Sequence, residues 1–212
     1  MKSTGLRRGF GGQERRPRER KSSVHVDLAS LQTIDHSCDG CATGEPCCCS
    51  SYEVCVTAAE VEQIIRVLPE AARFCPQLKT NAGYDNVFDE VEPGLFALDT
   101  NEDGVCVLAF LSNHKLRCSL HAAASLLGLP LGTIKPKACL LWPMNFSGGK
   151  EVLSITDDAL SFRCNSRKGK RSRSLSPAFV EAIEAVYGEG LGRQAEQEAA
   201  LGARRTTLAR RG

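Results

Sequence analysis

Aromatic side chains are scarce in this chain: one Trp, three Tyr and eight Phe in 212 residues, 6% of the total. His (four) and Met (two) are scarcer still. No window approaches eighteen consecutive apolar residues, which excludes a helix of membrane-spanning length. The N-terminal run from Met1 to Lys21 has no apolar core of the kind a secretory signal carries. The motifs G-x-G-x-x-G, Walker A, H-E-x-x-H and G-x-S-x-G are all missing, so nothing points to a dinucleotide site, a P-loop, a zincin or a hydrolase elbow. The four His are not arranged as H-x-E with a following C-x-x-C, which argues against a zinc deaminase. The expectation is an unexported, cytoplasmic chain. In that reducing compartment clustered cysteines bind metal or carry chemistry rather than form disulfides.

Cysteine is what the chain has in excess. Of eleven, six fall within eighteen residues: Cys38, Cys41, Cys47, Cys48, Cys49 and Cys55. Cys106, Cys118 and Cys139 follow in a spaced series. Thiolates this dense hold a soft metal, pair as disulfides or carry redox chemistry.

Charge is segregated under a net value of +2. Residues 1–21 carry eight Lys/Arg against two Glu, residues 163–173 carry six Lys/Arg and no acid, and four Arg lie in the last nine residues. Such segments can neutralise phosphates. Neither long basic segment interleaves aromatics for base stacking, so nucleic-acid association is a weak secondary reading, and solvated tails are the ordinary one.

The pattern predicts an α+β fold: a small irregular domain with short strands and about three helices, organised around a cysteine metal site. Residues 1–22 are too Arg- and Gly-rich to repay the entropy of ordering and read as a disordered basic tail. Residues 24–190 read as the cysteine-cluster domain, and residues 191–212 as a helical or disordered basic tail. Within the domain, Thr57 and Glu60 form a capping box ahead of Val61, Ile64, Ile65 and Leu68 at helical spacing, with Pro69 as a stop. A hairpin is expected around Glu92-Pro93-Gly94, and another turn at Asn101–Gly104 leads into a strand carrying Cys106. Ser119 to Leu127 reads as the second helix with Gly128 as its cap, residues 135–139 as a loop, and Ser176-Pro177 as the start of the third helix.

Cys38-x-x-Cys41 is a two-sulfur grip of moderate specificity, and the adjacent Cys47-Cys48-Cys49 raises it. Consecutive cysteines are expected to face different ways or to serve a polynuclear cluster. Cys55, in the alternation Val54-Cys55-Val56, and Cys75 are expected as small buried hydrophobes. Cys164 reads as a free thiol or an extra ligand. His121 and His114 are candidate nitrogen ligands whose ordinary role is that of helix or loop histidines, and His36 is expected to face solvent or to support a ligand.

The order C-x2-C, a Cys pair, a T-x-x-E helix, C-x-x-x-F-L, C-S-L-H and K-P-x-x-C-x-x-W-P resembles the YkgJ-type cysteine-cluster proteins, described as zinc- or iron-chelating. The resemblance runs from Cys38 to Pro143. It implies metal binding by Cys38, Cys41, the pair within Cys47–Cys49, Cys106, Cys118 and Cys139, but supplies no reaction. The chain departs from the family in having three consecutive cysteines and a longer gap before them, so Cys48 and Cys49 are taken as the pair and Cys47 as an eighth candidate. The surplus over the four thiolates of a structural zinc, and the apolar Trp142-Pro143 ending, favour an iron–sulfur cluster over zinc. A metal- or thiol-dependent enzyme is the alternative reading. The sequence names no protein partner.

Overall fold

The computed structural model describes residues 23–80, 86–146, 152–169 and 172–209. The basic N-terminal tail, with Lys170, Arg171, Arg210 and Arg211, lies outside the described residues.

The fold is α+β, as expected, with twelve short strands in four small sheets among the described residues. The first sheet has the order β12-β1-β10-β9, with β1 Ser23–Val26, β9 Met144–Phe146, β10 Val152–Ile155 and β12 Thr206–Ala209. Strand β1 runs parallel to β10 and antiparallel to β12, so the first and last strands of the described residues pair side by side. A two-stranded sheet pairs β2 (Ile34–His36) with β11 (Asn165–Arg167). The third sheet is β3 (Cys41–Ala42), β8 (Lys115–Cys118) and β7 (Ala109–Ser112). The fourth is β4 (Cys55–Thr57), β6 (Leu95–Leu98) and β5 (Phe88–Glu92), the last two forming the hairpin expected at Pro93-Gly94.

Seven α-helices are present among the described residues, more than the three expected. The three expected are Ala58–Ala71, Ser119–Leu127 and Pro177–Tyr187. The Thr57 capping box is complete, and Gly128 closes the second helix at φ 65°. Pro69 does not stop the first helix; it sits in the last turn, where Ala72 N–H still reaches Leu68 O at 2.8 Å. Ile65 faces solvent, and Val67 takes a core place instead. The additional helices are Leu28–Leu31, Cys48–Ser51 and Lys137–Leu141, with Leu191–Ala200 in the segment read as helical or disordered. Lys137–Leu141 replaces an expected loop and places Cys139 on a helix.

Two apolar cores form. One gathers Val26, Leu28, Leu31, Leu153, Phe179, Ile183 and Leu208 under the first sheet. The other gathers Val56, Ile64, Leu68, Leu98, Leu108 and Leu120 between the first two long helices and the fourth sheet. Each fully buried side chain of this size contributes about 1.5–3 kcal/mol. The boundary placed at residue 190 does not divide folded chain from tail. Leu191, Ala195, Ala199 and Leu208 belong to the first core, and β12 completes its sheet. The segment's apolar stripe is mostly alanine, too small to register as a strong face. Gly192 allows the tight approach: a Cβ there would meet Val180 O at 2.2 Å.

Candidate metal centre

Each cysteine group is positioned by a different element. Cys38 and Cys41 flank a turn between β2 and β3. At its centre Gly40 adopts φ +84°, and a Cβ there would lie 2.9 Å from Leu116 O. Asp39 pairs with Lys115 and, at 3.5 Å, with Arg117, which pins the turn to β8. Cys41 is paired with Leu116 in the same sheet. Cys118 ends β8 and is the N-cap residue of the Ser119–Leu127 helix, its side chain making no cap hydrogen bond. Cys106 is not on a strand: β7 begins at Ala109, and Cys106 forms an isolated bridge with Thr100. The Cys106 amide donates to Cys49 O at 2.9 Å, joining the two halves of the cysteine series directly.

The three consecutive cysteines do not face different ways. Cys47 is the extended N-cap residue of a four-residue helix, and Cys48 and Cys49 form its first turn. That change of backbone direction brings all three Sγ atoms within 4.8 Å of one another, the one such group of three among the described residues. Around them a cavity of about 1260 Å³ is lined by all eight candidates: Cys38, Cys41, Cys47, Cys48, Cys49, Cys106, Cys118 and Cys139. Cys38 is exposed, Cys47 is buried, and the other six are partly buried.

Proton energetics in this cavity show what the thiols lack on their own. S–H groups of Cys48 and Cys49 donate to the Cys47 sulfur and hold its pKa far down, at about 2. Their bonds to Cys47 push Cys48 up to about 12 and Cys49 well above the thiol range. Burial pushes Cys106 up to about 12 and lifts Cys139 and Cys41 further. Crowded thiols thus concentrate one negative charge and resist a second, because adjacent thiolates repel in a partly desolvated site. A bound cation reverses this and deprotonates its thiol ligands outright. Lys135 lines the same cavity. Burial opposes its charge, but the sulfurs of Cys118, Cys139, Cys38 and Cys48 more than offset that and raise its pKa. It is a built-in counter-charge that sequence reasoning registered only as part of a Lys-Pro pair.

The other candidates sort differently. Cys75 is fully buried and its thiol faces Ala109 O at 3.5 Å, the packing role expected. Cys55 is exposed rather than buried: the alternation on β4 turns Val56 inward. Cys164 sits beside Ser37, whose amide donates to its carbonyl at 2.9 Å, and it does not line the cavity. His121 lines the cavity from an exposed position. His114 occupies the β7–β8 turn at φ 59°, away from the cavity. His36 is half-buried: its ring stacks on Phe179 with centroids 6.0 Å apart, and Nδ1 lies 2.7 Å from Asn165 Oδ1.

Beside the thiols, Tyr52, Trp142 and Phe162 pack together with centroids 4.7–5.7 Å apart. No signal in the sequence linked these three distant residues. In the basic segment, Arg163 pairs with Glu45, and Lys168 lies 3.9 Å from Asp35. Part of that charge therefore serves the fold.

No protein-family model matches the chain, and neither the curated proteins nor the solved structures contain a match. Among the described residues no helix is long and apolar enough to cross a membrane.

Proposed function

We propose that this protein holds a thiolate-ligated metal centre, an iron–sulfur cluster first and zinc second, in the cavity lined by Cys38, Cys41, Cys47, Cys48, Cys49, Cys106, Cys118 and Cys139. The observation that carries the reading is convergence. Eight cysteines picked out by their spacing and by the resemblance to the YkgJ-type proteins, on five separate segments, line one cavity.

The dispersion of the sulfurs favours a cluster. A tetrahedral zinc at about 2.3 Å from each ligand needs sulfurs roughly 3.8 Å apart, and five of the eight lie outside the tight triplet. Iron–sulfur clusters use thiolate ligands spaced around a larger inorganic core. The triplet itself favours the second reading, a zinc held by Cys47, Cys48 and Cys49 with Cys41 as fourth ligand. Lys135 offsets anionic charge in either case.

Anaerobic purification, metal analysis and an absorption spectrum test the proposal. Iron with acid-labile sulfide and a broad band near about 400 nm is the expected result. Stoichiometric zinc without colour selects the second reading. Neither metal, with all thiols free, sinks both.

A further inference from the structure

The cavity is larger than a metal centre requires, and its walls are not all sulfur. A mononuclear metal fills the space between its ligands and little more. Sites for small organic molecules enclose about 300–1,000 Å³, and this cavity encloses about 1260 Å³. It lies at the seam between the two apolar cores: Leu141 and Met144 of one core and Leu98, Leu108 and Leu120 of the other all line it. Seams of this kind are where binding sites form.

Six of the twelve aromatic residues in this aromatic-poor chain line this one cavity: Tyr52, Phe74, Phe110, Trp142, Phe146 and Tyr187. Part of the lining comes from the chain around β9 and from the end of the Pro177–Tyr187 helix. Phe146 is 46% exposed, an apolar ring that gains burial from anything seated against it.

We infer that the cavity binds, beside the metal position, a small uncharged and largely aromatic molecule packed against its aromatic lining, Trp142 and Phe146 included. The inference does not depend on which metal the thiols hold, or on whether they hold one.

The test uses the full chain as purified, its metal content measured separately, with the neutral dye N-phenyl-1-naphthylamine as probe. Trp142 is the only tryptophan in the chain, so its emission reports dye seated in this cavity. Saturable binding of one dye per chain with quenching of Trp142 is expected. Phe146→Ala and Val186→Ala, which open the aromatic wall from an exposed and a half-buried position, should each weaken binding by about fivefold, as expected for a lost ring or alkyl contact. Leu111→Ala removes an exposed apolar side chain outside the cavity and should change nothing. Absence of saturable binding, dye binding without Trp142 quenching, or equal weakening by Leu111→Ala overturns the inference. Metal-free protein that binds the dye as described upholds it while refuting the metal proposal.

Discussion

Gly40 and Gly44 separate two effects that sequence inspection merges. Both adopt left-handed backbone, at φ +84° and +83°. A Cβ at Gly44 meets nothing within 4 Å, whereas one at Gly40 lies 2.9 Å from Leu116 O. Gly44→Ala therefore incurs the conformational cost alone, about 1–2 kcal/mol. Gly40→Ala incurs the same cost and must also push β3 from β8 or distort the turn, for a further 1–3 kcal/mol or so. Chemical unfolding of the metal-free proteins measures both, with equal denaturant slopes as the check that neither endpoint has changed. The expected order is wild type, then Gly44→Ala, then Gly40→Ala. The metal-loaded Gly40→Ala protein should also hold its metal less tightly, because this turn sets the distance between Cys38 and Cys41. Equal destabilisation by the two substitutions, or metal affinity unchanged in Gly40→Ala, refutes the view that β8 shapes the two-cysteine turn.

Glu60 ties two parts of the site: one carboxylate oxygen accepts from the Thr57 amide, and the other from the Lys137 amide at 3.0 Å, on the helix that carries Cys139. Burial pushes the Glu60 carboxyl up, but the Lys137 and Thr57 amides and the Thr57 hydroxyl outweigh it and hold its pKa below the ordinary value. A depressed folded-state pKa contributes stability above the unfolded pKa and loses it as pH falls through the folded one. Glu60→Gln should thus cost about 1 kcal/mol at neutral pH, and unfolding curves should show the gap to wild type closing below about pH 4. Cys139→Ser should lower metal content, while Cys75→Ala, within the second core and off the cavity, should lower stability and leave metal stoichiometry unchanged. Leu208→Ala should destabilise by about 2–5 kcal/mol, since Leu208 is fully buried on a strand paired with β1. A loss within about 0.5 kcal/mol would mean that the C-terminal strand is not part of the core.

The three longest expected helices were legible because their signals are local. A capping box, a left-handed glycine cap and a Ser-Pro start are each written within a few residues of the turn they make. The candidate ligands were legible for a related reason: cysteine is improbable in clusters without a role, and its spacing survives in the chain. The β7–β8 turn was not. Asn113 and His114 both take positive φ, and histidine does not announce that geometry as glycine does. The helix carrying Cys139 was missed because Lys135-Pro136 reads as a loop, and five residues carry too little periodicity to say otherwise.

By itself, the order of residues determined that this is an α+β chain with a thiol-rich segment and a spaced cysteine series, since those properties rest on local backbone preference and residue chemistry. Tertiary structure decided that the eight thiols share one cavity, that Cys47, Cys48 and Cys49 converge on one point, and that Cys55 and Cys164 are not in its lining. It also decided that Lys135 lines the same cavity and that residues 191–209 close the first core. These depend on long-range pairings such as β1 with β12 and the Cys106 amide with Cys49 O. Such contacts join residues far apart in sequence, and their energy comes from burial and hydrogen bonds that no local window contains.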